Sequence, residues 1–155
     1  MQKLFPTFDT PQTVEEANEA KNKNAFKPSI YFDEQLGDFR RNGAGQLQTA
    51  NGYEAWEQWC INTVQTERYT CLGYSQNYGV EIDRAFLKTD RVVTESLIQQ
   101  TIEEALLADP AGRTQGVTDF TFEWQSDSVL VGCTITSVSG DKANIEITLG
   151  KGGTV

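Results

Sequence analysis

The sequence predicts an α+β protein with a single domain: an antiparallel β-meander packed against two amphipathic helices, preceded by an extended N-terminal arm. Two periodicities and a length carry that reading. In the middle of the chain apolar residues recur every three or four positions, the spacing of one buried helical stripe. In the last third they recur every second position, the spacing of a strand with one dry face. A chain of 155 residues holds one domain with a real core and is short for two. The expected divisions are an arm over residues 1–28, the α+β domain over 29–150 and a flexible tail over 151–155.

The arm carries a small apolar knot, Leu4-Phe5-Pro6-Thr7-Phe8, ahead of a polar run, and prolines at 6, 11 and 28 break any long helix. It reads either as a solvated tail or as an extended segment whose Phe5 and Phe8 dock into a groove on this or a neighbouring subunit. From Ser29 the spacing predicts a hairpin that turns at Gly37 and runs to about Arg41. Asn42-Gly43-Ala44-Gly45 then forms a connector, and Leu47 briefly returns to extended structure.

Asn51 stands three residues ahead of Glu54, the spacing of a reciprocal helix N-cap, and predicts a helix over about 52–65. Its buried stripe is Tyr53, Trp56, Trp59, Cys60 and Val64, with both tryptophans as core residues. Residues 83–89 read as an aperiodic link. Asp90 caps a second helix whose stripe is Val93, Leu97, Ile98, Ile102, Ala105 and Leu106, and Asp109-Pro110-Ala111-Gly112 stops it. Glu103 and Glu104 read as a solvated face, since adjacent helical positions diverge.

Three strands follow, marked by Phe120, Phe122 and Trp124; by Val129, Val131, Cys133 and Ile135; and by Ile145, Ile147 and Leu149. Short polar turns at 126–128 and 139–142 join them into a meander, and the helices cover its dry face. The last strand, Asn144-Ile145-Glu146-Ile147-Thr148-Leu149, is expected at a sheet edge, where another chain can add a strand.

Composition narrows the chemistry. A net charge of −9, from 13 Lys plus Arg against 22 Asp plus Glu, repels a phosphate backbone, so nucleic acid is not expected as a partner. No membrane span or signal peptide is indicated, which points to assembly in a cytoplasm. With zero His and three widely spaced cysteines, no metal site is expected, and Cys60, Cys71 and Cys133 read as reduced packing residues. The lack of His also removes Ser-His and Cys-His nucleophile systems, and no phosphate-binding Gly-rich loop is present; no enzyme activity and no cofactor are expected. Glu67 and Glu81 form the carboxylate pair weighed for glycoside hydrolysis.

Between the helices lies Thr66-Glu-Arg-Tyr-Thr-Cys-Leu-Gly-Tyr-Ser-Gln-Asn-Tyr-Gly-Val-Glu-Ile82, which reads as a recognition surface rather than a catalytic one. Asn77-Tyr78-Gly79 is its turn signal, followed by a short extended alternation, Val80-Glu81-Ile82.

Taken in order, several motifs resemble the sheath-initiator proteins of contractile phage tails and phage-tail-like bacteriocins, in the Gram-positive prophage branch related to baseplate wedge proteins. They are Leu4-Phe5-Pro6-Thr7-Phe8-Asp9, Lys27-Pro28-Ser29 with Gly37-Asp38-Phe39, and Gly52-Tyr-Glu-Ala-Trp-Glu-Gln-Trp59. Thr66-Glu-Arg-Tyr69, Tyr78-Gly-Val-Glu-Ile82, Glu104-Ala-Leu-Leu-Ala-Asp-Pro110 and Asp119-Phe-Thr-Phe-Glu-Trp124 continue the series.

The resemblance implies a structural baseplate component that attaches to the baseplate core and templates the sheath by exchanging edge strands. Thr66-Glu67-Arg68-Tyr69 takes the place of a family Glu-Pro-Arg type motif contacting the core bundle, here without the proline, so Glu67 and Arg68 are the implied contacts, with Tyr69, Tyr78 and Gly79 beside them. Residues Asn144, Ile145, Glu146, Ile147, Thr148 and Leu149 take the strand-exchange role. The implied partners are the contractile sheath protein, the wedge core-bundle proteins and tail tube or hub proteins, with six copies around the tail axis. The competing readings are a tail-associated, lysozyme-like peptidoglycan hydrolase and a generic soluble adaptor domain.

Overall fold

The structure, a computed structural model, describes residues 28–33 and 36–150 and the backbone of 153–154. Phe5 and Phe8 lie outside the described residues.

Alternation in the last third produces the expected meander. Strands β5 (Thr114–Trp124), β6 (Ser128–Ser137) and β7 (Lys142–Gly150) are antiparallel neighbours. A two-residue β8 (Gly153–Thr154) pairs with Leu149 and Gly150, in the segment expected to be a tail. Val129, Val131, Cys133 and Ile135 of β6 face Leu149, Ile147, Ile145 and Ala143 of β7 in register, and all eight are buried. These cross-strand pairs are the dry face.

Three helices cover that face. Helix α1 (Tyr53–Gln65) buries Ala55, Trp56, Cys60, Thr63 and Val64, so its stripe lies as expected apart from Tyr53 and Trp59, which are only half-buried. Its start departs from expectation: Gly52 is the N-cap and makes no side-chain bond, while Asn51 contributes its backbone carbonyl to the Glu54 N–H at 3.2 Å. The Gly52 φ of 53° lies in the left-handed region that a glycine adopts without steric cost, which moves the cap one residue along.

Residues 82–86 form a short helix α2 (Ile82–Phe86) where an aperiodic link and an extended alternation are expected from sequence. Ile82 and Ala85, three apart, are buried there, and a single turn is too short to show a period. Helix α3 (Arg91–Leu107) begins as expected, with the Asp90 carboxylate accepting from the Val92 N–H at 2.9 Å. Its buried face is Thr94, Ile98, Thr101, Ile102, Ala105 and Leu106, whereas Val93 is 43% exposed. Two threonines on the inner face shift the stripe away from Val93. Thr94 bonds the carbonyls of Asp90 and Ala85, and Thr101 accepts the Glu81 N–H, so neither hydroxyl is buried without a partner.

Ahead of α1, the expected hairpin forms between β2 (Phe32–Asp33) and β3 (Asp38–Phe39), and β1 (Ser29–Ile30) pairs with β4 (Thr49–Ala50). Leu47 returns to extended pairing opposite Arg41. Gln58 of α1 pins this layer: its amide nitrogen donates to the Phe32 carbonyl at 2.6 Å, and its oxygen accepts the Phe32 N–H at 3.3 Å. A side-chain amide thus stands in for a neighbouring strand.

The exit from α3 is held by an ion pair. Arg113 Nε lies 2.7 Å from Asp109 Oδ2, its NH2 lies 3.1 Å from Oδ1, and its backbone N–H also donates to Oδ2. The Asp109 side chain is 1% exposed, so the bidentate geometry and the extra amide offset a substantial desolvation cost. The guanidinium sits 5.3 Å from the Trp59 ring centroid, and Trp56 Nε1 donates to Thr114 Oγ1 at 3.1 Å, joining α1 to the start of β5. Removing one member leaves an uncompensated buried charge. Asp109→Ala is therefore expected to lower stability in urea unfolding by about 3–5 kcal/mol; a loss below about 1 kcal/mol would mean that Arg113 finds water or another partner.

Candidate functional site

Two surfaces emerge from this frame: the loop between α1 and α2, and the outer side of β7.

The loop is closed at its base by a short parallel pairing. The Arg68 N–H donates to the Val80 carbonyl at 2.8 Å and the Val80 N–H to the Thr66 carbonyl at 2.9 Å, with Glu67 opposite Val80. Glycine at 79 is required by that closure. Its φ is 91°, and a Cβ there would stand 2.6 Å from the Thr66 carbonyl oxygen.

The two charged residues singled out from the sequence are engaged inside the chain. The Arg68 side chain is 9% exposed; Nε donates to the Gly79 carbonyl at 2.9 Å, and NH1 lies 3.2 Å from Glu81 Oε1 and 3.8 Å from Glu104 Oε2. Glu104 stays on the solvated face expected for it, its side chain 53% exposed, and reaches from α3 toward the loop. Glu67 Oε2 accepts the Ile82 N–H at 3.2 Å and so satisfies a donor at the start of α2. Tyr78 is half-buried, packed edge-on to Trp59 at 6.2 Å and against Tyr74 at 4.6 Å.

What the loop presents outward is apolar and aromatic: Tyr69 is 68% exposed, Leu72 fully exposed and Tyr74 54% exposed. Tyr69 has φ 68°, one of two non-glycine residues in the left-handed region among those described. Leu72 and Tyr74 lie in the stretch expected to be a recognition surface but are not singled out within it by the sequence, because exposure of an apolar side chain has no local signal. Cys71 is also exposed, contrary to its reading as a packing residue, whereas burial pushes the thiol of Cys60 up to about 12 and that of Cys133 to about 11.

The edge is read from the ladder. The Ser137 N–H donates to the Asp141 carbonyl at 2.8 Å and closes the β6–β7 turn. Counting the alternation of an antiparallel ladder from that bond turns the N–H and C=O groups of Lys142, Asn144, Glu146 and Thr148 away from β6. The Tyr53 hydroxyl takes the Lys142 carbonyl at 2.9 Å. Among the described residues β8 pairs only with Leu149 and Gly150, so Asn144, Glu146 and Thr148 meet no strand on that side. The opposite edge differs: β5 carries register shifts between Thr114 and Gly116 and between Thr118 and Thr121, and Asp119 has φ 55°. Bulges of this kind interrupt the regular row of amides that strand addition requires.

The carboxylate pair weighed for hydrolysis is occupied: Glu81 Oε1 faces Arg68, its Oε2 lies 3.5 Å from Arg84, and Glu67 holds the start of α2. No group of His, Cys, Asp and Glu among the described residues is arranged to hold a metal ion. No described helix is long and apolar enough to cross a membrane.

Among the described residues, then, the sheet is covered on one face and keeps a regular unpaired edge at β7, and the loop is braced by its own contacts. Residues 29–140 match the family model described as contractile injection system sheath initiator, and the chain belongs to that family of contractile-tail structural proteins. It is also 34% identical over 110 residues to the "Phage-like element PBSX protein XkdS" of Bacillus subtilis (strain 168), a match covering 68% of this chain and 73% of that protein.

Burial is the largest influence on the Glu67 carboxyl and raises it above 4.5, against the pull of the Ile82 and Asp83 amides. The folded state therefore holds the proton more tightly than the unfolded one. That contribution is fully present below the unfolded value and is lost as pH rises through the raised folded value. Glu67→Gln keeps an acceptor for Ile82 but has no proton to lose, so its stability relative to the parent is expected to rise from pH 4.5 to neutrality. Glu67→Ala orphans the amide and is expected to lose about 1–3 kcal/mol across the range. Urea titrations at several pH values check this; parallel curves for parent and Glu67→Gln would contradict it.

Proposed function

We propose that this chain attaches to the baseplate core of a contractile tail and templates the first ring of sheath through strand addition at β7. The observation that carries the reading is the row of outward backbone groups at Asn144, Glu146 and Thr148, on a strand whose inward side chains are buried and whose frame is therefore fixed. A partner strand gains main-chain hydrogen bonds there without rearrangement of the host sheet. The interrupted β5 edge favours addition on one side only, which gives a growing sheath a single direction of attachment.

The loop over residues 66–82 is the counterpart surface. Glu67, Arg68 and Gly79 act there by fixing its shape, and Tyr69, joined by Leu72 and backed by the half-buried Tyr78, supplies the contact with the wedge core-bundle proteins. Exposed aromatic groups on a braced loop lose little conformational entropy on binding, which suits an anchor. Six copies around the tail axis, with tube or hub proteins inside, complete the arrangement, assembled in the host cytoplasm. The family match favours this role over a peptidoglycan hydrolase or a generic adaptor.

Proline at an outward-facing edge position deletes a donor that β6 does not use. Glu146→Pro is therefore expected to fold and to remain at the baseplate, with sheathed particles falling at least about tenfold, the effect of about 1.4 kcal/mol. Electron micrographs of particles assembled with the variant decide the matter. Fully sheathed tails at the parental frequency, with the variant incorporated, would contradict strand addition at β7.

A further inference from the structure

A groove of about 600 Å³ runs between the β1–β3 layer, α1 and the loop, and none of its lining residues is charged. Its walls carry Ile30, Phe32, Phe39, Trp59, Tyr74 and Tyr78, with Ile30 and Phe39 each 46% exposed. The neighbouring cavity is of the opposite character, since Asp33, Arg40, Glu54 and Glu57 line it. Upstream of Ser29 the chain holds one uncharged run with two phenylalanines, Leu4-Phe5-Pro6-Thr7-Phe8, bounded by Lys3 and Asp9. Ser29 and Ile30 themselves form part of the groove wall, so the N-terminal segment leaves the domain at the groove's own rim.

We propose that this groove is the docking site for the chain's own Leu4-Phe5-Pro6-Thr7-Phe8, against the Trp59–Tyr78 face. The chemistry of the two sides matches: an uncharged aromatic slot meets an uncharged aromatic segment. Pro6 fixes φ near the polyproline value, and at three residues per turn Phe5 and Phe8 fall on one edge of such a helix. Aromatic-lined grooves bind segments of this conformation at a small entropic cost, because the proline has already restricted the free chain.

Reach is sufficient for the same chain to be the source. Residues 9–28 separate the cluster from the domain, and twenty residues span up to about 70 Å when extended, more than a turn back onto the rim requires. Tethering at the rim sets an effective concentration on the order of millimolar, ahead of any free partner at cellular levels. A segment docked there also packs on Tyr78 and Tyr74 beside Trp59, so the arm stiffens the loop that carries the exposed Tyr69 and Leu72.

The test uses the full chain and does not depend on sheath assembly. In two-dimensional NMR of dilute protein, Phe5→Ser with Phe8→Ser is expected to shift the Trp59 indole N–H and the Asn62 and Gln65 side-chain amides. Contacts between the Phe5 and Phe8 rings and those of Trp59 and Tyr78, present in the parent, are expected to vanish. Tyr74→Ser, on the groove wall, is expected to release the arm in the same way, while the sheet resonances at Val131 and Ile147 stay put in all variants. Unchanged groove resonances in the Phe5 and Phe8 variant would overturn the proposal. So would ring contacts that appear only between differently labelled copies, which would place a neighbour's arm in the groove.

Discussion

An antiparallel sheet buried on one face only is the constraint from which the rest of this protein follows. Every inward side chain of β6 and β7 is committed to the core under α1, α2 and α3, so neither strand slips register without turning its apolar set to water. A fixed register also fixes which backbone groups point out of the sheet. On β7 these belong to Asn144, Glu146 and Thr148, and on β5 the corresponding row is broken by bulges around Gly116 and Asp119. Among the described residues, the row of outward backbone groups on β7 is thus a consequence of the packing beneath it rather than a loose end of the fold.

The loop between α1 and α2 obeys a different economy. It has little core of its own and is held by polar and aromatic contacts that reach three separate elements: Arg68 toward Glu81 and Glu104, Glu67 to the start of α2, and Tyr78 against Trp59 of α1. Gly79 lets the two ends approach within a backbone hydrogen bond. Because the charged groups are spent inside, the outward chemistry of the loop falls to Tyr69, Leu72 and Tyr74. The loop thus turns apolar groups outward, while the buried guanidinium of Arg68 and its partly exposed carboxylate partners hold its shape.

Much of this was legible in the residues. Alternation at Val129, Val131, Cys133 and Ile135 and the stripe through Ile98, Ile102 and Leu106 marked the sheet and the long helix, because both elements are long enough for a period to repeat. The α2 turn escaped because five residues show no period, and the cap of α1 moved from Asn51 to Gly52 because backbone freedom outweighed a side-chain bond. The site was less legible. Gly79 stood out as a turn residue, but that Arg68 turns inward depends on Glu81 and Glu104, thirteen and thirty-six positions away in sequence, and no local rule joins them. The pairing of Asp109 with Arg113 across the helix stop was hidden for the same reason: the four-residue spacing is common, and only burial makes it structural.

Hydrogen exchange along β7 tests the central claim most directly. In the free protein the amides of Asn144, Glu146 and Thr148 face away from β6 and are expected to exchange fast, while those of Ile145 and Ile147, paired with β6, exchange slowly. In sheathed particles the first set is expected to become protected by at least about tenfold, corresponding to about 1.4 kcal/mol, with the second unchanged. Equal, fast exchange of Asn144, Glu146 and Thr148 in free protein and sheathed particle would contradict the account.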